Sequence, residues 1–132
     1  MYKRQPVYHG EVIHAQHYNE FGAATPKSAI VLTDQFDYEQ ELLKRSSEQA
    51  RNIDFDAQTV LLIDMGEKPS GGFNIANVSF TDNEHGKTAH VLLEKPGESC
   101  SVTEALTNPY QFIVIDGVDD IVIQEEYQYS DC

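Results

Sequence analysis

The sequence has few basic residues for its number of acidic ones. Nine Lys and Arg residues stand against 22 Asp and Glu residues, so the 132-residue chain has a formal net charge of −13. A surface that binds nucleic acid needs clustered Lys and Arg opposite the phosphates, and an anionic membrane surface makes the same demand. The charge balance therefore argues against both partners and is typical of a chain that its own charge keeps soluble.

The sequence also lacks a long apolar run. No segment approaches the roughly 20 apolar residues that a membrane-spanning helix needs, so we expect no membrane insertion by this chain. The opening residues, MYKRQPVYHG, carry positive charges with no apolar segment behind them, which is not the pattern of a signal peptide. We expect either an intracellular protein or one whose export signal has been removed, and composition does not separate these.

Cysteine is scarce, with Cys100 and Cys132 as the two examples. Their spacing fits neither a zinc site nor a thioredoxin-like motif. A disulfide between them requires the carboxyl end to fold back to residue 100. We expect two independent thiols, with Cys100 the more buried.

What is present suits a single domain over residues 1–132, because 40% of the residues are apolar. Residues 1–28 indicate no more than one short strand, and residues 29–132 form the predicted core. A helix is predicted over about residues 34–50, capped by Thr33 or Asp34. Its apolar stripe comprises Phe36, Tyr38, Leu42, Leu43 and Ala50. The side predicted to face solvent carries Glu41, Lys44, Arg45 and Glu48.

The rest of the core pattern is that of strands. Residues 59–65 are apolar on both faces, which is typical of a central strand. The alternation in residues 73–80 changes phase, which predicts a β-bulge. Asp116–Gly117 lies between two strand candidates and is typical of a hairpin. Because short connections favour antiparallel pairing, we predict an α+β fold: a twisted, mainly antiparallel sheet of five or six strands with the helix on one face.

The bend GEKPSGG, residues 66–72, has the glycine spacing of a phosphate loop but not its chemistry. A phosphate loop needs Lys and Ser or Thr after the final glycine, and then a helix. Here Gly72 and Phe73 follow, and the next segment alternates like a strand. The nucleophile-elbow pattern fails as well, because position 68 is Lys. Neither phosphate binding nor catalysis by Ser70 is predicted.

Two interpretations of the bend stay open. Pro69 fixes its own φ, and Gly71 and Gly72 allow backbone angles denied to other residues. The bend is then either a strand connection that needs glycine for its geometry, or an exposed, preshaped loop with free N–H groups that contacts another protein. In the second interpretation Ser70 offers its hydroxyl and Phe73 anchors the bend against the sheet.

Titratable side chains form no pattern of a metal, cofactor or catalytic site. His14 and His17 would point to opposite sides of a strand, and metal binding needs about three or four converging ligands. The acidic loop TDNEHG, residues 81–86, lacks the length of a calcium loop. Adjacent carboxylates such as Asp119 and Asp120 point to opposite strand faces. We therefore expect no metal, no cofactor and no enzymatic activity.

One family resemblance rests on residues 52–116. Asp54–Phe55 precedes the apolar strand, and Gly66, the run from Pro69 to Phe73, and Ile75 follow. Further along come Pro96–Gly97, Cys100 and the run from Thr107 to Tyr110. In this order the segment resembles the carboxyl-terminal domain of PrcB-type protease complex subunits, in which Thr and Tyr are more usual at positions 70 and 73.

The resemblance implies a non-catalytic role. It implies an accessory or stabilising subunit of an exported bacterial protease complex, located in the periplasm or at the cell envelope. The contact region would be the bend (Pro69, Ser70, Gly71, Gly72 and Phe73), with a secondary loop at Pro96, Gly97 and Cys100. A protein partner, such as a peptidase, is then expected. The alternatives are a peptidase inhibitor using the 69–73 loop, and an enzyme or small-ligand binder with an unrecognised site. An exposed edge strand could also pair two copies in a homodimer.

Overall fold

The computed structural model describes residues 6–130, which form seven strands and one helix. The elements are β1 (Glu11–Gln16), β2 (Ser28–Leu32), α1 (Gln35–Leu43), β3 (Gln58–Asp64), β4 (Asn74–Asn83), β5 (Gly86–Lys95), β6 (Tyr110–Asp116) and β7 (Ile121–Tyr129). The predicted α+β class and mainly antiparallel pairing are confirmed. The strands divide into two sheets, however, rather than forming one.

The larger sheet has the strand order β1-β6-β3-β2, and all its neighbours are antiparallel. β3 lies in its interior and is buried from Thr59 to Asp64, as its apolar run predicts. The smaller sheet has the order β4-β5-β7, with β4 antiparallel and β7 parallel to β5. The register of β4 shifts between Ile75 and Asn77, which is the predicted β-bulge.

Two apolar clusters show that the elements stack in three layers. The cluster between the sheets comprises Leu61, Ile63, Met65, Val78, Phe80, Ala89, Val91, Leu93, Ile113 and Ile115. The cluster between the larger sheet and α1 comprises Ile13, Leu32, Tyr38, Leu42, Val60, Leu62, Tyr110, Phe112 and Val114. The larger sheet is thus covered on both faces, whereas the outer face of the smaller sheet has no covering layer within the described chain.

The helix is shorter than predicted and buries only part of the predicted stripe. It follows Asp34, whose carboxylate accepts the N–H of Asp37 at 2.7 Å, so the predicted cap is confirmed. It ends at Leu43, before residue 50 can join the stripe, and Phe36 is 68% exposed. Its buried residues are Tyr38 and Leu42. In residues 6–130 no helix has the length and apolarity needed to cross a membrane.

The predicted hairpin through Asp116 and Gly117 does not form. Gly117 has a φ of +96° and turns the chain, but β7 then leaves the larger sheet and pairs with β5. In that position Ile121 and Ile123 pack against the cluster between the sheets. Burial of these side chains outweighs the local preference for a hairpin.

The segment before β1 reaches the smaller sheet. Tyr8 and Phe80 exchange backbone hydrogen bonds of 3.0 and 2.8 Å, and their rings stack with centroids 5.8 Å apart. The chain then enters β1 of the larger sheet. Within the part of residues 1–28 that the structure describes, the chain therefore links both sheets.

Candidate interaction surface

The β3–β4 bend, residues 66–73, is tied to the loop between β5 and β6. Lys68 and Thr107 exchange two backbone hydrogen bonds, of 2.7 and 2.9 Å. The N–H of Gly71 donates to the carbonyl oxygen of Thr103 at 3.0 Å. The prediction of free N–H groups is therefore wrong at Lys68 and Gly71, because the neighbouring loop supplies their acceptors.

Ser70 takes part in the same contact. Its carbonyl oxygen accepts the hydroxyl of Thr107 at 2.7 Å, and its own hydroxyl donates to the carbonyl oxygen of Gly71 at 3.0 Å. Within residues 6–130 the Ser70 hydroxyl has no hydrogen bond to a histidine, and its one hydrogen bond as a donor is to the backbone of the bend itself.

The two glycines have different physical roles. Gly72 has a φ of +89°, and a Cβ added there would lie 2.9 Å from both Pro96 Cβ and Val102 Cγ1. Gly71 has no positive φ, but a Cβ there would lie 2.6 Å from Thr103 Oγ1. Gly72 is needed for its backbone angle and Gly71 for close approach.

Phe73 anchors the bend, as predicted. Its half-buried ring packs against the cluster between the sheets. Lys68 Nζ lies 5.5 Å from the centroid of the same ring. The bend therefore continues into β4 with little freedom, since both its hydrogen bonds and its aromatic side chain fix its position.

The structure brings the second predicted loop beside the first. Pro96 touches the bend at Gly72, while Gly97 accepts the N–H of Cys100 at 3.0 Å. At the other side of this turn, Ser130 donates its N–H to the carbonyl oxygen of Lys95 at 2.8 Å. The three residues named from the sequence thus share one end of the molecule with the bend.

Cys100 is half-buried and disulfide-bonded, so the expectation of independent thiols is wrong for it. The parallel pairing of β7 with β5 explains how the carboxyl end returns to this loop, since Ser130 O lies 3.9 Å from Cys100 Sγ. Cys132, the other cysteine of the sequence, lies outside the described residues.

We define the loop surface as the exposed residues Pro69, Gly72, Val102 and Leu106. The first two belong to the bend, and the others to the β5–β6 loop that supports it. Leu106 is 61% exposed and Val102 is 37% exposed. The surface therefore combines exposed apolar side chains with a backbone that hydrogen bonds hold in place.

Beneath this surface lies a buried polar network that the sequence did not reveal. Asp64 and Arg45 are each 1% exposed, and Arg45 Nε donates to Asp64 Oδ2 at 2.8 Å. Arg45 was predicted to face solvent, and this prediction is wrong because the helix ends at Leu43 and the chain turns inward. One signal was present in the sequence. Asp64 is the last residue of an otherwise apolar strand, and a carboxylate buried there needs hydrogen-bond partners.

Each carboxylate oxygen of Asp64 accepts two hydrogen bonds. Oδ1 accepts the side-chain amide of Asn108 and the N–H of Gly66, both at 2.7 Å. Oδ2 lies 2.7 Å from the hydroxyl of Thr25, in addition to its contact with Arg45. The network therefore fixes the start of the bend and the start of β6 to one buried charge.

Glu41 completes the surroundings of Arg45. Its carboxylate accepts Arg45 Nη1 at 3.0 Å and Lys44 Nζ at 2.9 Å. Burial acts to raise the pKa of Glu41, but the hydrogen bonds from Lys44 and Arg45 outweigh it, so the pKa lies below its usual value. The guanidinium thus meets two carboxylates, which compensates for its burial.

The histidines are placed separately. His14 is buried, with Nε2 2.7 Å from the Tyr38 hydroxyl and Nδ1 3.2 Å from Glu48. His9 and His90 contact Asn77 and Thr81 instead. Across residues 6–130, no group of three or more His, Cys, Asp or Glu side chains could hold a metal ion.

A concavity of about 480 Å³ lies between the end of β1 and the starts of β4 and β6. Its lining is Ala15, Gln16, His17, Asn74, Ile75, Ala76, Glu94, Pro109, Tyr110 and Gln111. Its titratable side chains are His17, Glu94 and Tyr110, and Glu94 accepts the side-chain amides of Asn74 and Gln128, both at 3.1 Å.

Comparison with known families supports the resemblance. Residues 59–116 match the family described as PrcB C-terminal. The match covers somewhat less than half of the chain and runs from β3 to the end of β6. No curated protein and no solved structure matches significantly.

Several residues that carry the resemblance take part in these contacts. Gly66 donates to the buried Asp64, and the Thr107 hydroxyl donates to the carbonyl oxygen of Ser70. The matched range therefore contains both the bend and the start of β6 to which it is fixed.

Proposed function

We propose that this protein is a non-catalytic interaction module of a protease complex, and that it contacts its protein partner through the loop surface. The PrcB C-terminal match over residues 59–116 supports the association with a protease complex. The observation that carries the proposal is the fixed packing of the β3–β4 bend against the β5–β6 loop. A rigid backbone that presents exposed apolar side chains loses little conformational entropy on binding.

The bend itself uses its polar backbone internally. Since the N–H groups of Lys68 and Gly71 are already bonded to Thr107 and Thr103, they are not donors for a bound anion. Recognition would therefore depend on the shape of the bend and on Val102 and Leu106. This is the composition expected at the apolar centre of a protein interface.

The proposal includes an exported location. Disulfides persist in oxidising compartments such as the bacterial periplasm, and they are rare in the cytosol. The disulfide at Cys100 is consistent with an exported protein. Localisation of an epitope-tagged full-length protein by cell fractionation tests this part separately from binding.

A pair of matched variants tests the loop surface. Leu106 and Val118 are 61% and 60% exposed, and they lie before β6 and after it, at opposite ends of that strand. Leu106→Glu places a charge in the proposed interface, whereas Val118→Glu makes a similar change away from it. The immobilised wild type and both variants are exposed to a cell-envelope extract, and retained proteins are identified by mass spectrometry.

We expect the wild type and Val118→Glu to retain the same peptidase, and Leu106→Glu to retain it about tenfold less, as for an apolar residue at the centre of an interface. Thermal unfolding of all three proteins checks that folding is equal. If Leu106→Glu retains as much peptidase as the wild type, the loop surface is not the contact region. If the retained peptidase is blocked stoichiometrically, the protein is an inhibitor and not an accessory subunit.

A further inference from the structure

β7 forms an open edge of the smaller sheet. It pairs with β5 on one side over nine residues, Lys87–Lys95 with Ile121–Tyr129. On its other side, no strand among residues 6–130 pairs with it. The opposite edge of the same sheet differs, because β4 is paired there with Tyr8. β7 therefore offers a row of unpaired backbone groups, which is the template for adding another strand.

The two faces of β7 have different chemistry. Ile121 and Ile123 point inward and pack against the cluster between the sheets. Val122 is 58% exposed and points outward with Gln124 and Glu126, which are also exposed. An added strand would therefore meet an apolar border on the inner face and a polar border on the outer face.

The inner border is electrically balanced. Lys27 Nζ lies 2.7 Å from Glu125 Oε2, so this carboxylate has a cation beside it. Lys95 Nζ lies 4.1 Å from the centroid of the Tyr127 ring, and Lys27 Nζ lies 5.9 Å from it. The inner border therefore favours apolar or aromatic side chains on an added strand.

The outer border is acidic. Glu126 is the charged side chain on the outer face of β7, where it alternates with Val122, Gln124 and Gln128, and the segment from residue 117 to residue 130 contains no Lys or Arg. Among the described residues no salt bridge neutralises Glu126, in contrast to Glu125. A strand beside β7 would place its outward side chains next to this carboxylate, where Lys or Arg is favoured.

A second copy of the chain fits this edge poorly. Antiparallel pairing centred on β7 would place the Glu126 side chains of the two copies diagonally across the same face, about 7–8 Å apart. Like charges at this distance destabilise a strand pair, and each copy already carries a formal charge of −13. The charges therefore select a basic partner.

We propose that the β7 edge binds an extended segment of the partner protein in which Lys or Arg alternates with apolar residues. The apolar residues would face Ile121, Ile123 and Tyr127, and the basic residues would face Glu126. This inference rests on the proposed function as an interaction module, but it concerns a different surface. Its test uses a peptide and so does not depend on the loop surface.

The test is a titration with a fluorescent peptide of about ten residues, the length of a typical strand, that alternates Val and Lys. A charge control carries Glu in place of Lys. A pairing control keeps the charge but has two central residues replaced by Pro, which cannot continue a strand ladder. Binding is measured by anisotropy in about 0.1 M salt, where distant charges are screened. Amide hydrogen exchange of residues 121–129 reports strand addition.

Glu126→Lys and Glu84→Lys form the matched protein pair, because both change an exposed Glu to Lys and raise the net charge equally. Glu84 lies in the turn between β4 and β5, and β7 separates these strands from the proposed partner. We expect Glu126→Lys to weaken binding of the Val-Lys peptide about fivefold, and Glu84→Lys to weaken it less than twofold.

Support requires binding of the Val-Lys peptide, loss of binding by both controls, and slower exchange along β7. Equal binding of the Pro-containing peptide without protection of β7 would show simple charge attraction and overturn the proposal. Absence of binding would overturn it as well. Protection of β7 by self-association, measured by sedimentation without peptide, would assign the edge to a second copy.

Discussion

The two sheets of this protein handle polar side chains in opposite ways. The larger sheet is covered by α1 on one face and by the smaller sheet on the other, so Asp64 on β3 must find all its hydrogen-bond partners inside the protein. The smaller sheet is open on its outer face, and Glu126 on β7 is exposed to water. A carboxylate therefore holds neighbouring segments together in the larger sheet, at Asp64, and is a solvated surface charge in the smaller sheet, at Glu126.

The largest expected difference between the sheets is the cost of removing these carboxylates. Asp64→Ala removes the acceptor of Arg45 Nε and of the Asn108 amide, so the buried guanidinium keeps Glu41 as its remaining carboxylate partner. We expect a loss of about 3–5 kcal/mol in the free energy of unfolding, as for other broken buried ion pairs. Glu126→Ala, its counterpart on the open sheet, should change stability by less than about 0.5 kcal/mol. Urea unfolding followed by circular dichroism measures both.

A double variant sharpens this comparison. Replacing Arg45 by Met together with Asp64→Ala removes the buried guanidinium that has lost one of its two carboxylates, so part of the lost stability should return. If Asp64→Ala costs no more than Glu126→Ala, the network does not hold the larger sheet together.

A smaller difference is expected between two leucines in the interior strands. Leu62 on β3 is fully buried against α1, whereas Leu92 on β5 is half-buried on the open face. Leu62→Ala should cost about 2–5 kcal/mol because it leaves a cavity. Leu92→Ala should cost about 1 kcal/mol or less, because water can fill the space.

The same urea unfolding experiment measures both leucine variants. Equal losses would mean that the outer face of the smaller sheet is covered in solution. Sedimentation of the wild type would then show whether a second copy covers it.

The smallest expected effect concerns a surface carboxylate of the smaller sheet. Asp82 accepts hydrogen bonds from the Lys87 ammonium at 3.1 Å and from the Tyr8 hydroxyl at 3.0 Å, and these lower its pKa below the usual value. A lowered folded-state pKa gives stability that is complete above the unfolded-state pKa and is lost as the pH falls through the folded-state pKa. Tyr8→Phe removes one of these hydrogen bonds, so it should raise the pKa of Asp82 toward its usual value.

Carboxyl ¹³C NMR titration measures this shift. Glu20 provides an internal control, since the hydroxyl and N–H of Ser47 lower its pKa independently of Tyr8. An Asp82 pKa that is the same in wild type and Tyr8→Phe would show that the Tyr8 hydroxyl does not contribute.

Sequence patterns predicted single elements better than the pairing between distant strands. A strand buried on both faces is apolar throughout, so β3 could be identified from composition alone, and the cap at Asp34 is a local contact between neighbours. The role of Asp116–Gly117 could not be predicted locally. The turn forms, but Ile121 and Ile123 pack against the cluster between the sheets because β7 pairs with β5, whose position depends on the whole fold.

The candidate surface shows the same limit. The bend at 69–73 and the loop at 96–100 were identified separately from turn residues, but their contact through Gly72 and Pro96 depends on how β3 and β5 are placed. The ion pair of Arg45 and Asp64 joins residues 19 positions apart, and no spacing rule links them. Contacts between residues that are distant in the sequence therefore could not be predicted from one sequence.

The pairing of β1 with β6 has a consequence for how the protein forms. The two strands are separated by about 100 residues, with Glu11 opposite Val114. A contact of this range can close only after most of the intervening chain has been organised, and such contacts slow folding. During synthesis β1 emerges first and meets its partner near the end. We expect an interval in which its apolar residues are exposed, so that the newly made chain is a natural client for chaperones.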